Sequence, residues 1–142
     1  GGIRVPFIVN QPGMVPIQTL DNLIYFPDMM PTLAALAKGT KHLPKQINGI
    51  NILPLFYGKQ VDTDNRLLYW EFPGKQRAAR KGDWKCVTIH PNQPLELYNL
   101  KEDPEETNNL AKKYPRRVKE FDEEMQRMHI PTPNWPQPGE QF

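Results

Sequence analysis

Between Leu67 and Leu100 the chain carries four runs of strand length, LLYWEF, KQRAARK, WKCVTI and LELYNL, each set off by Pro, Gly or Asn turn formers. No other feature restricts the fold as tightly. Runs this short, joined by tight turns, predict a small antiparallel sheet. Such a sheet needs an amphipathic element to cover one face, and the sequence supplies one shortly afterwards.

In PRRVKEFDEEMQRM, Pro115 can begin a helix, and Val118, Phe121, Met125 and Met128 fall at helical spacing with charges opposite. One face is expected to pack on the sheet. Upstream of Pro115, DPEETNNLAKKY carries Asp103, Pro104 and Glu106 in the pattern of a capped helix start, which predicts a helix beginning at 103. The tail from Ile130, rich in Pro, reads as extended chain and turns, with Trp135 as its anchor against the body.

Before the sheet the reading changes. VPFIV, residues 5 to 9, has the continuous apolar character of a strand buried on both faces, although Pro6 removes one ladder donor. FPDMMPTLAALAK, residues 26 to 38, reads as a helix with Asp28 as N-cap, Pro31 in the first turn and Gly39 as the stop. Met29, Leu33, Leu36 and Ala37 would form its buried face. Residues 39 to 63 are rich in turn formers around the apolar segment Ile50 to Tyr57, as a stretch joining two domains would be. The chain opens on Gly-Gly and passes directly into an apolar run without an initiator Met, which we read as an internal cut.

Composition excludes several classes of function. Eighteen Lys and Arg against sixteen Asp and Glu leave a formal charge of +2, too small to imply nucleic-acid or membrane binding. A single cysteine cannot form an internal disulfide, and no Cys and His spacing suggests a zinc site. No apolar run approaches the roughly 18 to 20 residues that span a bilayer. His42, His90 and His129 stand apart in sequence, without the carboxylate or Ser neighbours of a catalytic site. The acidic group Glu102, Asp103, Glu105 and Glu106 fits helix capping better than a calcium cage.

Five segments, GGIRVPFIV at 1 to 9, DMMPTLAALA at 28 to 37, NGINILPLFYG at 48 to 58, RKGDWK at 80 to 85 and ELYNLKEDPEETNNLA at 96 to 111, follow one another in an order that resembles the C-terminal third of the sulfatase family. Bacterial and arylsulfatase-like members are the nearest in character. The resemblance implies an α/β fold, α+β in this chain: residues 1–60 as the end of an alkaline-phosphatase-like catalytic domain, and residues 61–142 as a small four-stranded antiparallel sheet packed with a C-terminal helix. Arg4, inside one of these segments, is expected to serve structure rather than catalysis.

The same resemblance implies hydrolysis of sulfate esters by a formylglycine, made from the Cys or Ser of a Cys/Ser-x-Pro/Ala-x-Arg motif, with calcium held by Asp and Asn. Neither the motif nor the calcium ligands are expected in this chain, so both are expected upstream and the chain alone is expected to be inactive. Cys86 is followed by Val87, Thr88 and Ile89, so it lacks the motif, and alternation sets it beside Trp84 and Thr88 as a small buried hydrophobe. The implied partners are a sulfated small molecule or glycan and the catalytic domain itself. The implied compartment is periplasmic or secreted.

Within that frame the basic hairpin from Lys75 to Lys85 is a candidate substrate rim, because guanidinium groups suit polyoxygen anions. Trp70, Lys75 and Arg77 are its candidate residues, with alternation placing Lys75, Arg77 and Lys81 on one side. A solvated sheet face protected by charge is the competing reading. Two other identities compete for the whole chain. One is a related phosphohydrolase of the alkaline-phosphatase superfamily, which upstream sequence would distinguish. The other is a free-standing carbohydrate-binding module, whereas a sulfatase fragment predicts exposed apolar surface around Val5 to Val9.

Overall fold

The expected sheet forms with every strand in place. In the computed structural model, which describes residues 3–72, 76–90, 93–134, 136–137 and 139–142, β1 (Leu68–Phe72), β2 (Gln76–Lys81), β3 (Trp84–Thr88) and β4 (Glu96–Asn99) make an antiparallel meander in the order β1-β2-β3-β4. Gly82 opens the two-residue turn between β2 and β3 at φ 55°, a left-handed conformation that suits glycine in a tight hairpin. Register then sorts the side chains. Tyr69, Ala79, Cys86 and Leu97 stand opposite one another on one face, while Trp70, Ala78 and Val87 stand on the other.

The first face meets α3 (Pro115–Met128), which begins at Pro115 as its sequence predicts. Phe121 and Met125 from α3 close with Ala79, Cys86 and Leu97 into a buried core, and Val118, Trp84 and Leu95 pack around it. Helical spacing on one side and strand alternation on the other therefore converge on the same interior.

The helix expected from 103 does not form. Residues 100–114 run as turns without a helix: Asp103 accepts the Thr107 and Asn108 N–H groups within a non-helical loop, and Glu106 reaches Lys85. The Asn109 side chain accepts the Leu97 N–H at 3.2 Å and the Leu110 N–H donates to the Leu97 carbonyl at 2.7 Å, so the stretch covers the outer edge of β4. A sheet edge left open carries unmet backbone groups, and satisfying them outweighs one more turn of helix. Trp135 lies outside the described residues.

The chain divides into two units, Gly1–Asp64 and Asn65–Phe142, of which the sheet and α3 form the second. In the first unit α1 (Met29–Leu36) follows a 3-10 turn at Phe26–Asp28, and α2 (Leu53–Phe56) has Pro54 in its opening turn. Asp28 precedes α1 as expected, but its carboxylate serves a different purpose: Oδ1 accepts the Ile50 N–H at 2.9 Å and Oδ2 accepts the Tyr25 N–H at 3.0 Å. Thr32 Oγ1 likewise accepts the Ile52 N–H at 3.0 Å. These bonds fix α1 to the Asn48–Leu55 segment, and Gly49 permits the approach, since a Cβ there would lie 2.0 Å from the Pro27 carbonyl oxygen.

Three expectations for this unit are corrected. α1 ends through Lys38, which takes the left-handed conformation at φ 57°, rather than through Gly39. Its buried residues are Pro31 and Thr32, while Met30, Leu33 and Leu36 are more than half exposed, because the helix docks through its polar-bonded side. Residues 5 to 9 form no strand, since no described segment pairs with them, and Val5, Phe7 and Ile8 are exposed.

Candidate functional site

Of the candidate rim residues, Trp70 and Arg77 do not come together. β1–β2 register pairs Trp70 with Ala78 but Glu71 with Arg77, so the half-buried Trp70 and Arg77 occupy opposite faces of the sheet. Arg77 is on the helix side, where its guanidinium meets the Asp122 carboxylate of α3 at 3.3 Å. Lys75 lies outside the described residues. A one-residue offset decides the face, and sequence alternation counted within β2 could not place Trp70 relative to it.

Farther along the helix side, the end of α3 carries a polar cluster that sequence reasoning missed. His129, the C-cap of α3, has Nδ1 2.6 Å from Glu71 Oε1 on β1 and Nε2 against Glu140 Oε1 in the tail. The Tyr69 hydroxyl donates to the same Glu71 oxygen, and Glu140 Oε2 accepts the Gln137 N–H at 2.8 Å. The hydrogen bond with Glu140 raises the His129 pKa above its ordinary value against the opposing effect of partial burial, and Glu71 adds to the rise. Burial, reinforced by Glu71, also raises the Tyr69 phenol. Fifty-eight residues separate His129 from Glu71, so no local pattern announced the pair.

On the opposite face Lys85 is buried and its ammonium meets Glu106 at 2.5 Å. Partial burial opposes ionisation of Glu106, yet its carboxyl sits below the usual range, with the Lys85 hydrogen bond the largest opposing influence. Glu106 holds a left-handed backbone at φ 59°, a conformation a non-glycine residue adopts only where its surroundings fix it. Its acidic neighbour Asp103 is held low by the Asn108 and Thr107 N–H groups, at 2.8 and 3.1 Å. The acidic group is a folded loop and an ion pair, not a helix cap.

Cys86 has no exposed surface, and burial, with Asp122 adding to it, pushes its thiol up to about 12. A thiol so placed is neither a nucleophile nor a target for a modifying enzyme. His42, His90 and Arg4 are exposed, and among the described residues no group of three or more His, Cys, Asp or Glu could hold a metal ion. No described helix is long and apolar enough to cross a membrane.

One further cluster surrounds the start of α3. Trp84 meets Tyr114 edge to face at 5.2 Å, the Arg117 guanidinium lies 4.4 Å from the Trp84 ring centre, and the Lys113 ammonium lies 5.4 Å from that of Tyr114. Cations over aromatic faces are held in place by the ring quadrupole.

Residues 1–130 match the family model of the N-sulphoglucosamine sulphohydrolase C-terminal region. The chain is 33% identical over 129 residues to an uncharacterized sulfatase of Schizosaccharomyces pombe, covering 81% of this chain and 23% of that protein. It is 27% identical over 147 residues to an ulvan-active sulfatase of Formosa agariphila, covering 78% of this chain and 29% of that one. It is similar in structure to Ps i-CgsB, solved in complex with k-i-k-neocarrahexaose, with a TM-score of 0.60 and 25% identity over 70% of this chain and 23% of that one. The chain thus spans between 23% and 29% of the length of these relatives.

Proposed function

The chain belongs to the sulfatase family, and from that premise we propose that it is the C-terminal portion of an enzyme that hydrolyses sulfate esters, with a sulfated glycan as the substrate class. The match over residues 1–130 carries this reading. Relatives described as an ulvan-active sulfatase and as a complex with neocarrahexaose support a glycan as the substrate class. A formylglycine nucleophile and calcium would be supplied by the part of the enzyme that this chain does not contain, because the residues described here fit neither group.

The work of this chain in the enzyme is then structural and steric. The second unit presents a rigid sheet braced by α3, and Trp70, on the face away from α3, is the candidate that can still border a substrate cleft. Arg77 is committed to Asp122. In the first unit, Leu33 is 58% exposed, Leu36 53% and Val5 75%, an apolar surface suited to packing on the remainder of the catalytic domain. A periplasmic or secreted location accords with a glycan substrate.

The test is turnover by the full-length protein of 4-nitrophenyl sulfate, 4-nitrophenyl phosphate and sulfated oligosaccharides, with mass spectrometry of the upstream Cys or Ser for formylglycine. Sulfate release with formylglycine present is expected. Phosphate release without formylglycine would replace this reading with the phosphohydrolase one. An unchanged KM for a sulfated oligosaccharide in Trp70→Ala would remove Trp70 from the rim.

A further inference from the structure

We propose that the basic and aromatic recess at the start of α3, formed by Lys113, Tyr114, Arg116 and Arg117 beside Trp84, is a docking surface for sulfated polysaccharide. The identity of the polymer rests on the sulfatase reading; the surface itself rests on four observations.

Between Ala111 and Val118 the sequence AKKYPRRV places four cations with no acid among them. Elsewhere on α3 the cations are answered by neighbouring carboxylates, Lys119 by Glu123 at 3.8 Å and Arg127 by Glu124 at 2.5 Å. Among the described residues no carboxylate forms a salt bridge with Lys113, Arg116 or Arg117.

The cations are also ordered in advance. Stacking over Trp84 at 4.4 Å holds the Arg117 guanidinium, and the edge-to-face contact at 5.2 Å with Tyr114 holds the tryptophan in turn. A pre-positioned guanidinium loses less freedom on binding than a free one.

The recess has a volume of about 350 Å³, with Glu120 as the one carboxylate in its lining, a size that suits a sugar unit or two rather than an extended duplex. Finally, α3 has no acidic residue in its first turn and carries Arg116 and Arg117 there, where the helix dipole disfavours positive charge. Sequences break such local rules where another requirement prevails, and a bound anion would restore the balance.

The chemistry selects the partner. A sulfate ester is a fixed anion whose oxygens match the guanidinium fork, and the apolar face of a pyranose ring packs on an aromatic ring. The net charge of +2 gives the chain as a whole no general attraction for polyanions, so the attraction is local.

The experiment measures binding of the full-length protein to dextran sulfate, to unsulfated dextran and to duplex DNA as salt is raised. Wild type is expected to hold dextran sulfate and ignore dextran. Lys113→Gln with Arg116→Gln should weaken binding by about tenfold or more, while Lys41→Gln with Lys45→Gln, equal in charge and exposed in the first unit, should leave it unchanged. Arg116→Glu, which shifts the charge by the same amount as that pair, should weaken binding comparably yet raise Tm, because an acid in the first turn suits the helix; unfolding then cannot account for the loss. Equal binding by all variants, or equal affinity for duplex DNA, would overturn the proposal. Recess-dependent binding by a protein that turns over no sulfate ester would leave the surface standing and remove the sulfatase reading instead.

Discussion

The Asp28 carboxylate, with no exposed surface, receives the Ile50 N–H at 2.9 Å and so ties the start of α1 to a segment 22 residues away. Both ends of this bond lie in segments that resemble sulfatases, DMMPT and NGINILPL. Asp28→Ala would strand the Ile50 and Tyr25 N–H groups and is expected to cost about 2–4 kcal/mol. Gly49→Ala should be worse, because its Cβ would meet backbone atoms of Pro27 that have nowhere to move. Urea unfolding of each variant measures both, and an unaltered midpoint for Gly49→Ala would contradict the packing described.

Lys85 and Glu106 form the pair most sensitive to losing one member. Lys85→Met leaves Glu106 without its ammonium in a partly buried setting and is expected to cost about 3 kcal/mol, with Glu106→Gln costing less. The pH dependence follows from the lowered Glu106 carboxyl. Its contribution is present above the ordinary value of 4.5 and is lost as pH falls through the lower folded value. Acid unfolding of Glu106→Gln should therefore show a shallower loss of stability below that range than wild type.

His129 acts in the opposite direction. Its pKa is raised above 6.5 by Glu140, with burial opposing and Glu71 assisting, so the stability it contributes is complete below 6.5 and is lost as pH rises through the folded value. Glu71 on β1 and Glu140 in the tail are the titratable groups bonded to it, Tyr69 donates to Glu71, and the Arg77–Asp122 pair lies on the same side of the sheet. The Tm difference between wild type and His129→Gln should be larger at pH about 6 than at pH about 9, a comparison thermal scans make directly. A difference independent of pH would show that the clip on the tail is not ionic.

Cys86 should be chemically silent. With the thiol at about 12 and no exposed surface, a disulfide reagent at pH about 8 should react only as the protein unfolds. Cys86→Ser is expected to cost about 1–3 kcal/mol through a buried hydroxyl among Ala79, Leu97 and Phe121. Rapid labelling of the native protein would contradict the position assigned to it.

The edge of β4 offers a last test. Asn109→Ala removes the acceptor for the Leu97 N–H and for the Ala111 N–H, at 3.2 and 2.9 Å, and should cost about 1–2 kcal/mol. Hydrogen exchange at Leu97 should accelerate, since its amide would face solvent rather than a fixed oxygen.

These residues also divide what was legible in the sequence from what was not. Strand number, the antiparallel sheet, the start of α3 at Pro115 and the core face of Phe121 and Met125 follow from periods of 2 and 3.6 and from where prolines fall, all of them local properties. The burial of Cys86 followed from the same alternation. The capping pattern at Asp103 and the apolar run at Val5 to Val9 were equally clear as local signals, yet neither produced its element. In one the backbone was needed at the β4 edge, and in the other the strand had no partner.

The site residues show the same limit more sharply. Arg77 was visible as a cation on a hairpin, but its pairing with Asp122, 45 residues away, depends on α3 lying across that face. His129 showed nothing in sequence until the fold brought Glu71 and Glu140 to its two nitrogens. Sequence alone determined the four strands and the helix from Pro115 in the second unit and, through five separated segments, the family resemblance. Only the tertiary structure decided which charges are spent on one another and which stay available, because ion pairing depends on distances of a few ångströms between residues that the chain keeps far apart.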